Sequence, residues 1–141
     1  MGVFTIRVYG IAVHNGKILL SKERIQGAYY VKFPGGGLEF GEGTRDALKR
    51  EFLEEANAEV EVLDHFYTTD FFQPSTFHKT PMQVLSVYYK VRLLHPETPL
   101  PNGDKQTLFW LDENLVTPEY MNLPIDRVVA ELWQQNRRRN N

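Results

Sequence analysis

The stretch Gly36-Gly37-Leu38-Glu39-Phe40-Gly41-Glu42-Gly43-Thr44-Arg45-Asp46-Ala47-Leu48-Lys49-Arg50-Glu51-Phe52-Leu53-Glu54-Glu55-Ala56-Asn57-Ala58 carries most of what this chain says about itself. Its second half predicts a helix over about Arg45–Ala56. Thr44 is a suitable N-cap, and Asp46 suits the positive end of the helix dipole. Leu48, Phe52 and Ala56 recur every fourth residue and, with Leu53, form an apolar stripe. Asn57 falls at the C′ position, where Asn accepts a left-handed backbone in place of Gly. Glu51, Glu54 and Glu55 then lie within an arc of roughly 100° at the helical repeat. Like charges so placed repel by a few tenths of a kcal/mol per pair. A hard divalent cation such as Mg²⁺ is the usual compensator for clustered carboxylates. Carboxylates beside a Gly-rich loop point to phosphate chemistry.

Strands flank this segment. Val3–Val13 is rich in β-branched and aromatic residues. Asn15-Gly16 is a tight-turn signal, and Lys17–Lys22 reads as the returning strand. Tyr29–Phe33 is a third, short strand, broken by Pro34-Gly35-Gly36-Gly37. Ala58, Val60 and Val62 alternate with Glu59 and Glu61, the pattern of a strand with one buried face. Thr68–Thr80 is irregular. Val84–Leu93 reads as a long strand, and Leu108–Leu111 as a final short one. Between them, Pro96, Pro99, Pro101 and Asn102-Gly103 make His95–Lys105 a loop. Pro124 to about Gln135 closes the set as an amphipathic helix, with Ile125, Val128, Val129, Leu132 and Trp133 on one face. Strands interrupted by one helix and followed by another predict an α+β fold, an α/β/α sandwich with a mixed sheet.

The 141 residues suffice for one domain, expected over residues 1–135, with 136–141 as a flexible polar tail containing Arg137-Arg138-Arg139. A net charge of −2 argues against a broad electrostatic footprint for duplex DNA. The chain has no cysteine, which removes disulfides and thiolate metal sites. No apolar run reaches the roughly 18 residues that a membrane span needs. A soluble cytoplasmic protein is the expectation.

Gly36, Glu42, Arg50, Glu51, Glu54 and Glu55 together have the spacing of the Nudix box, and the chain resembles that family. At roughly 5–7% usage per residue type, six such matches arise by chance about once in 10⁷ windows. The chain departs from the box at Asn57, where Gly is usual, and at Ala58, where a larger aliphatic residue is usual. The resemblance implies a Mg²⁺-dependent pyrophosphohydrolase, with Mn²⁺ able to substitute, acting on a nucleoside diphosphate linked to another group. It implies Glu51, Glu54, Glu55 and the Gly35 carbonyl as metal ligands, and a pairing of Arg50 with Glu42 that steadies the ligand helix. Glu54 or Glu55 is the expected proton acceptor. Asp104, before the last strand, is the candidate auxiliary acid, with a simple turn-forming role as the alternative. His78 is a further candidate base. For substrate contacts we select Lys22, Arg24 and Phe72, with Phe71, Phe77, Tyr29 and Tyr30 as other aromatics near the cleft. The expected partner is a nucleotide-like small molecule, and Nudix-like domains occur both as monomers and as homodimers. Two other activities fit the same residues: a catalytically silent nucleotide-binding regulator and an RNA 5′-end pyrophosphohydrolase.

Overall fold

The structure, a computed structural model, describes residues 2–140. Seven strands form one mixed sheet: β1 (Val3–His14), β2 (Lys17–Ile25), β3 (Ala28–Lys32), β4 (Gly35–Gly37), β5 (Val60–Thr68), β6 (Met82–Leu93) and β7 (Gln106–Asp112). Two α-helices, α1 (Thr44–Ala56) and α2 (Pro124–Arg139), complete the domain. The sheet runs β3-β2-β1-β6-β5, with β4 added to β1 and β7 to β2. β1 and β6 are parallel from Val3↔Met82 to Ala12↔Val91, and the other pairs between named strands are antiparallel.

Strand alternation creates two apolar faces, and each takes one helix. Val8, Ala12 and Leu19 pack with Ala47, Leu48, Phe52 and Ala56 of α1. Tyr9, Ile11, Ile18 and Leu20 point the other way and pack with Ile125, Val129, Ala130 and Trp133 of α2. This is the expected sandwich. Gly10 stands on the α1 face, where an added Cβ would meet the Phe52 ring at 2.6 Å. The glycine therefore sets how closely α1 approaches β1.

Several local expectations change. Gly43, not Thr44, is the N-cap of α1, and no side chain caps it. Thr44 is instead the first helical residue, and its hydroxyl pairs with that of Tyr89 at 2.7 Å. Leu53, assigned to the apolar stripe, is 51% exposed, because a position one residue beyond Phe52 turns away from the sheet. Pro34 does break β3, but Gly35–Gly37 is itself a short strand, paired with Arg7–Tyr9 of β1. Asn57 takes the expected left-handed conformation, at φ 50° and ψ 40°. α2 continues past Gln135 to Arg139, so the basic run is its last turn. Cations there complement the helix dipole, and Arg137 Nε also lies 3.2 Å from Glu113 Oε1. Met1 and Asn141, at the ends of the expected domain and tail, lie outside the described residues.

Candidate active site

The glycine strand and α1 bring the motif together in space. Pairing with β1 holds Gly35 opposite Tyr9 and Gly36 opposite Val8. A Cβ on Gly36 would sit 2.5 Å from the Glu51 carboxyl, so only glycine admits that side chain. Gly35 has φ +153°, and a Cβ there would lie 2.0 Å from the Val8 carbonyl oxygen. Both glycines are thus required by close approach, one of backbone to side chain and one of backbone to backbone.

Arg50 organises the helix side of the site. Its Nε and Nη2 donate to the two oxygens of Glu42 at 3.0 and 2.6 Å, a bidentate pair. Nη2 also donates to the Gly37 carbonyl at 3.0 Å. Nη1 donates to Glu51 Oε1 at 3.0 Å and Glu54 Oε2 at 3.2 Å. The expected Arg50–Glu42 pair therefore forms, and it ties the loop, the glycine strand and α1 at one guanidinium. Hydrogen bonding from Arg50, helped by the Glu39 amide, holds the Glu42 carboxyl below the ordinary carboxylate range.

Glu51, Glu54 and Glu55 line one depression together with Gly35–Gly37, Arg7, Glu23, Lys32 and Gln106. Glu54 is exposed, while Glu51 and Glu55 are half-buried. Burial pushes the Glu55 carboxyl up to about 7, against the opposing pull of Lys32, the Gly35 amide and Gln106. The Gly35 amide donates to Glu55 Oε2 at 2.9 Å, and Gln106 Nε2 donates to Glu55 Oε1. Among the described residues, no group of three acidic or imidazole side chains is gathered closely enough to hold an ion as it stands. Arg50 and Gln106 engage the oxygens, so ligation requires these side chains to rotate. The donor chemistry nonetheless fits a hard cation: all oxygen, anionic, and lining one depression.

Two cations that the sequence reading passed over stand in this depression. Lys32 is only 6% exposed and donates to Glu23 Oε2 at 2.9 Å. Burial works against its charge, but Tyr9, Glu23 and Glu55 more than offset that, and its pKa is raised. Arg7 Nε donates to the Tyr9 hydroxyl at 2.6 Å. Each is a lone cation within an apolar strand, and that was the available signal. Lys22 and Arg24, selected instead, are exposed and line neither this depression nor the neighbouring cavity. Strand alternation explains the miss: Glu23, between them, is the residue of β2 that faces the site. Lys22 lies over the Tyr29 ring at 5.0 Å.

Arg7, Glu23 and Lys32 also line an adjoining cavity of about 270 Å³. Its walls include Ile25, Phe77, His78, Val84 and Ile125, and its lining includes Tyr88 and Asp126. Phe77 packs edge-on against Tyr30, with ring centroids 5.1 Å apart. Phe72 does not join them: it is 69% exposed and lines a separate shallow groove with Val3 and Phe4. His78 lines the cavity and pairs with the Ser75 hydroxyl, away from the carboxylates. Asp104 is exposed in the loop closed by the Asn102↔Thr107 bridge and lines neither space. Gln106, two residues on, is the group that this segment contributes.

The comparisons agree with the motif and the fold. The model of the NUDIX domain matches residues 4–132. A comparison with curated proteins finds no match. Among solved structures, a NUDIX hydrolase from Nitrosomonas europaea superposes with a TM-score of 0.77 at 19% identity, over 97% of this chain and 73% of that one. The E. coli ORF135 protein gives 0.72 at 22% identity, over 96% and 91%. An ADP-ribose pyrophosphatase from Streptococcus suis gives 0.67 at 18% identity, over 94% and 92%. The family match over most of the chain, together with the intact spacing from Gly36 to Glu55, assigns this protein to the NUDIX family.

Proposed function

We propose that the protein is a Mg²⁺-dependent hydrolase that cleaves a pyrophosphate bond in a nucleoside diphosphate linked to another group. The observation that carries this reading is the common depression of Glu51, Glu54 and Glu55 with Lys32 and Arg7. Anionic oxygens and two cations side by side suit a metal–phosphate pair better than either partner alone.

Glu51, Glu54, Glu55 and the Gly35 carbonyl would hold the ion. Bound there, a divalent cation neutralises phosphate charge and makes a water more acidic. Lys32 and Arg7, which line the same depression, would orient the phosphates. Arg50, fixed by Glu42, holds the ligand helix against the glycine strand. Glu54 or Glu55, whichever carboxylate is free of the ion, takes the proton from the attacking water. The group carried by the diphosphate occupies the cavity that shares Arg7, Glu23 and Lys32 with the depression.

The test is turnover of purified protein with Mg²⁺ on a panel of nucleoside diphosphate derivatives and triphosphates, read as released phosphate products. Hydrolysis that stops in EDTA is expected. Full activity in EDTA, or in both Glu54→Gln and Glu55→Gln, would overturn the reading. Tight nucleotide binding with no product over long incubation would replace it with a nucleotide-binding regulator.

A further inference from the structure

Glu23 stands where two spaces meet. Among the described residues, only Arg7, Glu23 and Lys32 line both the carboxylate depression and the adjoining cavity. Strand pairing brings the acid and the lysine together. Ser21 and Glu23 share a face of β2, and Lys32 lies opposite Ser21 on β3, within diagonal reach of Glu23. Arg7 and Lys32 suit phosphate oxygens. Glu23 does not, because its charge repels them. Its Oε2 accepts from the Lys32 ammonium at 2.9 Å. That bond uses only part of the carboxylate, which offers about four acceptor positions when ionised. The Glu23 side chain is also 31% exposed, so a ligand can reach it.

The order of groups in the substrate decides what this acceptor meets. With the diphosphate in the depression and the heterocycle in the cavity, the pentose that joins them crosses the border between the two spaces. Its hydroxyls are hydrogen-bond donors, and Glu23 is the acid of that border. Resting on the reading of the carboxylate depression given above, we propose that Glu23 is a specificity-determining residue whose carboxylate accepts from a pentose hydroxyl and selects ribonucleotides over their deoxy analogues. A site built to bind a hydroxyl rejects the analogue that lacks it, by roughly 10⁴–10⁵ when the site is sealed. Glu23 is partly exposed, so water replaces a missing hydroxyl in part and the discrimination is smaller, on the order of tenfold.

Ribonucleotides set against their 2′-deoxy and 3′-deoxy analogues, with the same base and Mg²⁺, test this. The ribonucleotide should exceed at least one analogue in kcat/KM on the order of tenfold. In Glu23→Ala that ratio should fall to about one. A carboxylate that only holds Lys32 in place would instead affect all three compounds alike and leave the ratio as it is. An unchanged ratio in Glu23→Ala, or equal use of all three compounds by the wild type, overturns the proposal. Calorimetric binding of the corresponding nucleoside diphosphates, without metal, should show the same order in the wild type and lose it in Glu23→Ala. If that variant does not fold, the wild-type ratios decide. If no compound is hydrolysed, the reading of the carboxylates fails and the diphosphate binding still decides the role of Glu23.

Discussion

The carboxylate depression and the cavity beside it share Arg7, Glu23 and Lys32, yet they are assembled in opposite ways. The depression draws its glycines and all its acids but Glu23 from one segment, Gly35 to Glu55, folded back on itself by the β4–α1 connection. The cavity draws Tyr88, Phe77 and Asp126 from three distant segments. A contiguous motif fixes its geometry through local rules: helical spacing, glycine close approach and one bidentate Arg–Glu pair. A cavity built from separate elements can change one wall without disturbing the others. On the proposed function, catalytic chemistry and substrate choice would thereby be separable, and substitutions can test that separation.

The largest effect belongs to the depression. Glu54→Gln or Glu55→Gln should lower kcat by about 10²–10⁴ if the carboxylate moves the proton. Glu54 is exposed, so its variant should melt with the wild type; wild-type kcat in both variants would break the assignment of chemistry to α1. Gly36→Ala comes next. Its Cβ would meet the Glu51 carboxyl at 2.5 Å, and that carboxyl must swing away. We expect kcat to fall by roughly tenfold to a hundredfold through misplacement alone, with thermal stability nearly unchanged. A large loss of stability instead would mean that Glu51 cannot yield.

Gly10→Ala sharpens the contrast from the core. Its Cβ would meet Phe52 ring carbons at 2.6 and 2.8 Å. Overpacking of this kind costs about 1–3 kcal/mol, read as a lower denaturant midpoint. Activity per folded molecule should change far less than in Gly36→Ala, although both add one methyl.

The smallest effect concerns the cavity and pH. The folded Asp126 carboxyl is raised from 3.8 to about 6 by burial, so the folded state binds its proton more tightly than the unfolded chain. Stability from this group is therefore greatest at low pH and is lost as pH rises through about 6. Between pH 5 and pH 8 the loss is about 1 kcal/mol. The melting temperature of Asp126→Asn relative to wild type should rise over that interval. A flat difference would mean that the carboxyl titrates normally.

Much of the depression could be read from the sequence, because its determinants are neighbours along the chain. Glu51, Glu54 and Glu55 share a face by helical geometry, and Asn57 ends the helix for a reason visible in its residue type. The cations could not be read in the same way. Lys22 and Arg24 look available because they follow an apolar strand, but the period of two turns them away and presents Glu23. Asp104 looked like the acid of the last loop, whereas the bridge at Asn102 leaves it exposed and the segment contributes Gln106. Thr44 looked like a cap until tertiary contact engaged its hydroxyl with Tyr89.

The sequence by itself determined the sandwich, the carboxylate-bearing helix and the family, since periodicity and motif spacing act over a few turns of chain. Only the tertiary structure decided which cations join the carboxylates and which residues wall the cavity beside them. Those choices depend on strand pairing and on the docking of α2, where partners are distant in sequence; Asn122 and Val31, for example, are 91 positions apart.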